Sequence, residues 1–274
     1  MNRLWLGLGS ILILTSVGVY FWLQQAPPQL PPPPVPAPAI APPAAIVPPE
    51  PAIKHPVQAP PGVTELPPLE QADDFVKEQL TELLGAKAVK TYLLIENFVR
   101  RVVATVDNLA RPLAPPSKWP THATPGRFTV ETGRDGSIIG ATNAARYAPF
   151  VALVESVDSG RAFALYQRLY PLLQSVYEGL GFPGKYFNDR LLAVIDLLLE
   201  TPEPSGPLQV ELPEIRGPLK PTRPWLLYRF SDPALEGLSS GQKILLRVGR
   251  ENEKRLKAKL AEMRKLIAGE KAGR

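Results

Sequence analysis

Residues 4–23 form an uncharged apolar run of 20 residues, long enough to cross the hydrocarbon core of a bilayer as a helix. Whatever follows such a segment must fold apart from it. Arg3 and the amino terminus carry the only positive charges before the run, and no charge follows until Glu50. The positive end is expected to stay in the cytoplasm, so the chain leads N-in and C-out. Trp5 lies near one end of the span, and Tyr20 and Trp22 near the other, at the interfacial depths aromatics favour. A cleaved signal peptide is the alternative. It would carry an apolar core of about 7–15 residues and a small-x-small cleavage site. Here the run is longer, and Ala26 is followed by Pro27.

Between positions 26 and 61 nearly every second residue is proline. Proline fixes φ and removes a donor, so neither helix nor sheet propagates there. Polyproline II at about 3.1 Å per residue is expected, giving a reach on the order of 100 Å. The residues 31–34 could also serve as a ligand for aromatic grooves, but a stiff spacer is the simpler reading, with His55 a solvated residue within it. The chain has no cysteine, so the domain beyond the spacer must be held by its core; about 200 residues can bury roughly 70% of their unfolded surface.

The patterning divides the chain into a cytoplasmic stub (1–3), a transmembrane helix (4–23), a proline-rich linker (24–65), a mainly α domain with a minor antiparallel β hairpin or sheet (66–268), and a disordered tail (269–274). Asp73 or Asp74 starts a helix that Gly85 stops. A second helical region over 87–109 is apolar on more than one face, which predicts a buried central helix bent near Asn97. A proline-rich loop spans 111–124. Alternation over 127–131 and the Asp135-Gly136 turn signal predict a hairpin. Helices are expected over 143–157; over 161–180, capped at 158–160 and kinked at Pro171; and over 190–200, capped by Asn188 or Asp189. Short strands are expected at 208–212 and 225–230. Ser239 or Ser240 caps a further helix that breaks at Gly249, and the last helix covers 251–267.

Several segments recur in one order in a known family: Val106-Asp107-Asn108-Leu109-Ala110, Leu169-Tyr170-Pro171-Leu172-Leu173, Asn188-Asp189-Arg190-Leu191-Leu192 with Ile195-Asp196, Tyr228-Arg229-Phe230 with Asp232-Pro233-Ala234-Leu235, and Ser240-Gly241-Gln242-Lys243-Ile244-Leu245-Leu246 leading to Glu251-Asn252. Through these, residues 66–267 resemble the bacterial membrane-anchored family called domain of unknown function 3014. The resemblance implies a Gram-negative inner-membrane protein with a periplasmic helical domain. It implies no activity and carries over no functional residue.

The residues themselves assign no catalytic, cofactor-binding or metal-binding set. Gly179-Leu180-Gly181-Phe182-Pro183-Gly184-Lys185-Tyr186 has phosphate-loop spacing, but a P-loop needs Ser or Thr after the lysine and a strand before the first glycine. It reads as a helix stop and loop. His55 and His122 are the only histidines, and neither has a neighbour at ligand spacing. His122 would have to serve any Ser-His-Asp triad, and no nucleophile-elbow motif is present. Paired carboxylates acting on cell-wall glycan are the alternative function, because glycan hydrolysis needs two acids about 5–9 Å apart. Asp107, Glu155, Asp189, Asp196 and Asp232 are the candidates. Asp158 and Asp189 read better as helix caps, Asp232 as a cap or turn residue, and Asp107 as a buried acid paired with Arg100, Arg101 or Arg111.

From Lys243 onward eleven basic residues face four acidic ones, an excess of seven, larger than the whole chain's +5. In the last helix Leu256, Leu260, Met263 and Ile267 make one apolar seam, and Glu251–Arg255 and Glu253–Lys257 are i,i+4 pairs. The seam predicts a docked surface helix. Lys254, Lys257, Lys259 and Arg264 form a candidate interaction surface for anionic lipid, a wall polymer or an acidic partner. No groove-reading motif suggests nucleic acid. Tyr147, Tyr166, Tyr170, Tyr177, Tyr186 and Trp225 suit a recognition surface, although the helical spacing of Tyr166, Tyr170 and Tyr177 favours core. The expectation is a non-enzymatic interaction or scaffold module in cell-envelope organisation. It needs no cofactor and is partnered by the inner membrane and by an envelope protein or polymer.

Overall fold

A computed structural model of the chain describes residues 53–58, 66–134, 136–214 and 221–269. The expected membrane helix over 4–23, most of the linker and residues 270–274 of the expected tail lie outside the described residues. Among the described residues no helix is long and apolar enough to cross a membrane.

The domain is mainly helical with a small antiparallel sheet. After a 3-10 turn, helix α1 (Ala72–Leu84) buries Ala72, Val76 and Leu80, one stripe at i, i+4 and i+8, and stops at Gly85 as its sequence predicts. The single bent helix expected over 87–109 is instead two helices, α2 (Ala86–Tyr92) and α3 (Phe98–Leu109). Residues 93–97 leave the helix because the loop ahead offers them other partners: Leu93 bridges Thr121, and Leu94 N donates to Pro120 O at 2.8 Å. Asn97 takes the left-handed conformation, φ 55, which Asn tolerates better than most residues. The Asp73 carboxylate then caps α3 rather than its own helix, accepting from Asn97 N at 2.7 Å and Phe98 N at 3.2 Å.

Strands β1 (Val130–Gly133) and β2 (Gly136–Ile139) form the expected hairpin, with Gly133 facing Gly136. Strands β3 (Gln209–Glu211) and β4 (Arg229–Phe230) extend it in the order β1-β2-β3-β4, antiparallel throughout. Val210 and Phe230 turn inward onto Leu246. The helical pattern over 143–157 resolves into a 3-10 stretch and α4 (Ala148–Ser156). Asp158 caps α5 (Ser159–Gly179), accepting from Arg161 N at 2.7 Å, and the helix runs on through Pro171.

Helix α6 (Phe187–Leu199) begins three residues earlier than its sequence suggests, so Asn188 and Asp189 fall inside its first turn and neither is the cap. Asp232 caps the short α7 (Pro233–Glu236). Ser239 and Gln242 form a capping box at α8 (Ser240–Arg247). Gly249, at φ 91, turns the chain into α9 (Arg250–Ile267). The main core gathers residues of α1, α2, α3 and α5 with Phe187. The α9 seam docks as its spacing predicts: Leu260, Met263 and Ile267 meet Leu192 and Ile195, and Leu256 reaches Val194 and Leu198.

Candidate functional site

The first turn of α6 joins segments far apart in the chain. Asn188 is fully buried, and an amide there must find partners for its own donors and acceptor. Its Oδ1 accepts from the Tyr166 hydroxyl at 2.7 Å. Its Nδ2 donates to His55 O at 2.8 Å and to Ile267 O at 3.4 Å. One side chain thus joins α5, the end of α9 and the segment 53–58. Arg190, two residues on, reaches the other way. Its Nε donates to Asp107 Oδ1 at 3.1 Å and an Nη to Asp107 O at 2.9 Å. Asp107 is 6% exposed and also pairs with Arg111, so of the three arginines expected beside it one is a partner, and Arg190 is a second.

Residues 54–58 lie along this turn as a strap that bends at Lys54 and His55. Asp189 accepts from Lys54 N at 3.1 Å and His55 N at 2.9 Å. Val57 N donates to the Tyr186 hydroxyl at 2.8 Å. Gln167 Nε2 donates to Gln58 O at 3.1 Å. With Asn188 on His55 O, every one of these contacts is to strap backbone. The position without an N–H is Pro56, which needs no acceptor. Val57 alone packs against the main core. His55 is therefore half-buried and held on both sides, not a solvated linker residue. The groove therefore holds the strap through its backbone and through the Val57 side chain.

The tyrosines around the turn are core, as their spacing suggests. Burial pushes the Tyr166 and Tyr170 hydroxyls far above their ordinary range, with Tyr186 adding to both. They remain protonated donors, which suits the Tyr166–Asn188 bond and gives neither a role as a base.

The acids proposed for glycan chemistry are each spent on structure. Asp107 holds Arg111 and Arg190. Glu155 pairs with Arg255, whose hydrogen bond is the main reason its carboxyl sits below the ordinary range. Asp189 holds the strap, Asp196 pairs with Arg264, and Asp232 accepts from Ala234 N at 2.8 Å. Each of these contacts serves the fold at its own place.

The basic residues of α9 divide similarly. Lys257 Nζ donates to Thr201 O at 2.6 Å and lies near Glu253 and Glu203. Lys259 Nζ donates to Val157 O at 2.6 Å and Ser159 Oγ at 2.8 Å. Arg264 is bonded to Asp196. Lys254 is the exposed member of the four. Trp225 stacks under the Arg127 guanidinium at 4.2 Å. The Gly179–Tyr186 stretch is a helix end and loop, with Gly181 and Gly184 at positive φ.

The sequence marks Tyr186 only as one of several candidate recognition tyrosines and Asn188 only as a helix cap, and gives no sign of Gln167. One signal was present: two polar residues in tandem at a helix start exceed what a single cap needs. The family model described as "Protein of unknown function (DUF3014)" matches residues 98–264, which takes in the floor of the groove but not the strap. No curated protein and no solved structure matches the chain.

Proposed function

The chain belongs to the DUF3014 family, and since that family carries no assigned activity we propose from the chain's own residues that it is a non-enzymatic interaction or scaffold module of the cell envelope. In this reading residues 4–23 anchor it in the inner membrane, N-in, and the proline-rich tract presents the helical domain to the periplasm. The observation that carries the proposal is the groove at the start of α6, which holds a proline-containing segment of the chain through its backbone. Such recognition is how many domains hold peptide partners. The commitment of Asp107, Glu155, Asp189, Asp196 and Asp232 to structural pairs and caps weighs on the same side, against an enzyme acting on wall glycan.

The chain's lack of native cysteine makes the test direct. Ser117 is exposed, and only its carbonyl is used, by Arg101. Ser117→Cys in the full chain should be labelled in intact cells by a maleimide that reaches the periplasm but not the cytosol. Labelling only after lysis would reverse the topology. Reproducible crosslinking to an envelope protein or wall polymer from the same position favours the scaffold, whereas turnover of purified wall by the isolated protein would defeat it.

A further inference from the structure

Between the end of β2, the connection 203–208 and the α8–α9 junction lies a cavity of about 220 Å³. That is below the ~300–1,000 Å³ typical of drug-sized ligands, and it suits a molecule of a few heavy atoms. Ile139, Leu208 and Leu246 give it an apolar side, while Glu203, Glu253, Arg247 and Arg250 give it charge.

Glu253 is 3% exposed, and its Oε1 is buried with no hydrogen bond among the described residues. Lys257 Nζ lies 3.0 Å from that oxygen, close enough for Coulombic attraction but outside hydrogen-bond geometry. The same Nζ spends a proton on Thr201 O at 2.6 Å and sits 3.4 Å from Glu203. One ammonium therefore serves two carboxylates, and the pair keeps a surplus of negative charge. The basic residues have the opposite surplus. Arg247 donates to Tyr228 O at 3.2 Å and lies over the Phe230 ring at 4.9 Å. Burial lowers its pKa, with Glu236 and Tyr147 opposing, and it has no ion-pair partner among the described residues. Arg250 is tied to the carbonyl of Pro204. Buried polar groups left without partners call for an explanation.

We infer that this cavity binds a free apolar α-amino acid, its ammonium on Glu253 and Glu203 and its carboxylate on Arg247 and Arg250. The side chain of the ligand packs on Ile139, Leu208 and Leu246. Glu253 and Glu203 then no longer depend on one shared ammonium, and Arg247 gains the ion-pair partner it lacks among the described residues, through charge-assisted hydrogen bonds. The site is separate from the strap groove and independent of what the groove binds.

Calorimetric titration of the full chain in detergent with L-leucine tests it. L-leucinamide lacks the carboxylate and N-acetyl-L-leucine lacks the ammonium. Leucine should bind at micromolar to millimolar concentration and each analogue at least about tenfold more weakly, the cost of one charged hydrogen-bond partner. Glu253→Gln should weaken leucine by at least about tenfold. Glu203 is a rim residue with a side chain 49% exposed, so Glu203→Gln keeps the fold and should still weaken binding severalfold. No heat with leucine, equal binding of the three compounds, or full affinity in Glu203→Gln would each overturn the inference.

Discussion

Asp107 shows what one residue can decide. Its carboxylate is nearly enclosed and meets two guanidiniums, one four residues on, just past the end of its helix, and one from α6. Removing an acid from such a place leaves Arg190, itself mostly covered, without its counter-charge, and breaking a buried pair is far costlier than never having built one. Asp107→Ala should lower unfolding free energy by about 3 kcal/mol, read from urea denaturation. The double variant with Arg190→Ala should cost less than the two singles added, because each single strands the other partner. Equal and additive losses would mean the two residues do not depend on one another. The acid was legible in the sequence as a buried, arginine-paired residue, with Arg111 one of three candidates. Arg190, 83 positions away, was not, because no local pattern marks a contact of that separation.

At the level of elements, helix starts and stops were the most legible feature. Gly85, Asp158, Ser239 and Gly249 act locally, through a cap or a φ only glycine adopts easily, and each falls where it was expected. The break between α2 and α3 and the early start of α6 were misread for one reason: in both, a distant segment supplies the partners. The loop at 119–122 takes the backbone of residues 92–94, and the strap takes Asp189. Asp189→Ala should free the strap with little damage to the core, a loss of about 1 kcal/mol. Hydrogen exchange at His55 and Val57 should accelerate, and trypsin should cut after Lys54 sooner than in the parent chain; unchanged exchange at both would count against the strap. Close packing gives a second element-scale prediction. A Cβ on Gly241 would stand 2.6 Å from Leu198 Cδ2 and 3.0 Å from Leu109 O. The leucine can turn away but the carbonyl cannot, so Gly241→Ala should cost about 1–3 kcal/mol and lower the thermal midpoint.

For the whole molecule, acid is the informative stress. Burial alone would raise the Glu236 carboxyl, but the Phe230 N–H and the Lys243 ammonium outweigh it and hold it below its ordinary value of 4.5. Glu262 is held low by Ser159 and Lys259, and Glu155 by Arg255. A carboxyl depressed in the folded state contributes stability that is complete above its unfolded pKa and lost as pH falls through the folded one. Stability should therefore be level near neutrality and decline below about pH 4.5. Glu236→Gln should flatten part of that decline in a series of denaturation midpoints; a curve identical to the parent's would remove Glu236 from the account. The mainly helical class with a small antiparallel sheet was readable from periodicity. The order of the four strands was not, since β2 meets β3 across some 70 residues and strands this short carry almost no signal of their mates.

The strap also decides how the molecule answers a pull. Force arriving along the chain from positions before 53 meets the five bonds of residues 54–58 first, and passes into α6, deep in the fold. The 3-10 turn at Leu69–Gln71, where the helical part begins, is shielded. Only when the strap tears loose does the load reach that turn. A stretched molecule should give way at the strap first, well before α1 begins to unravel.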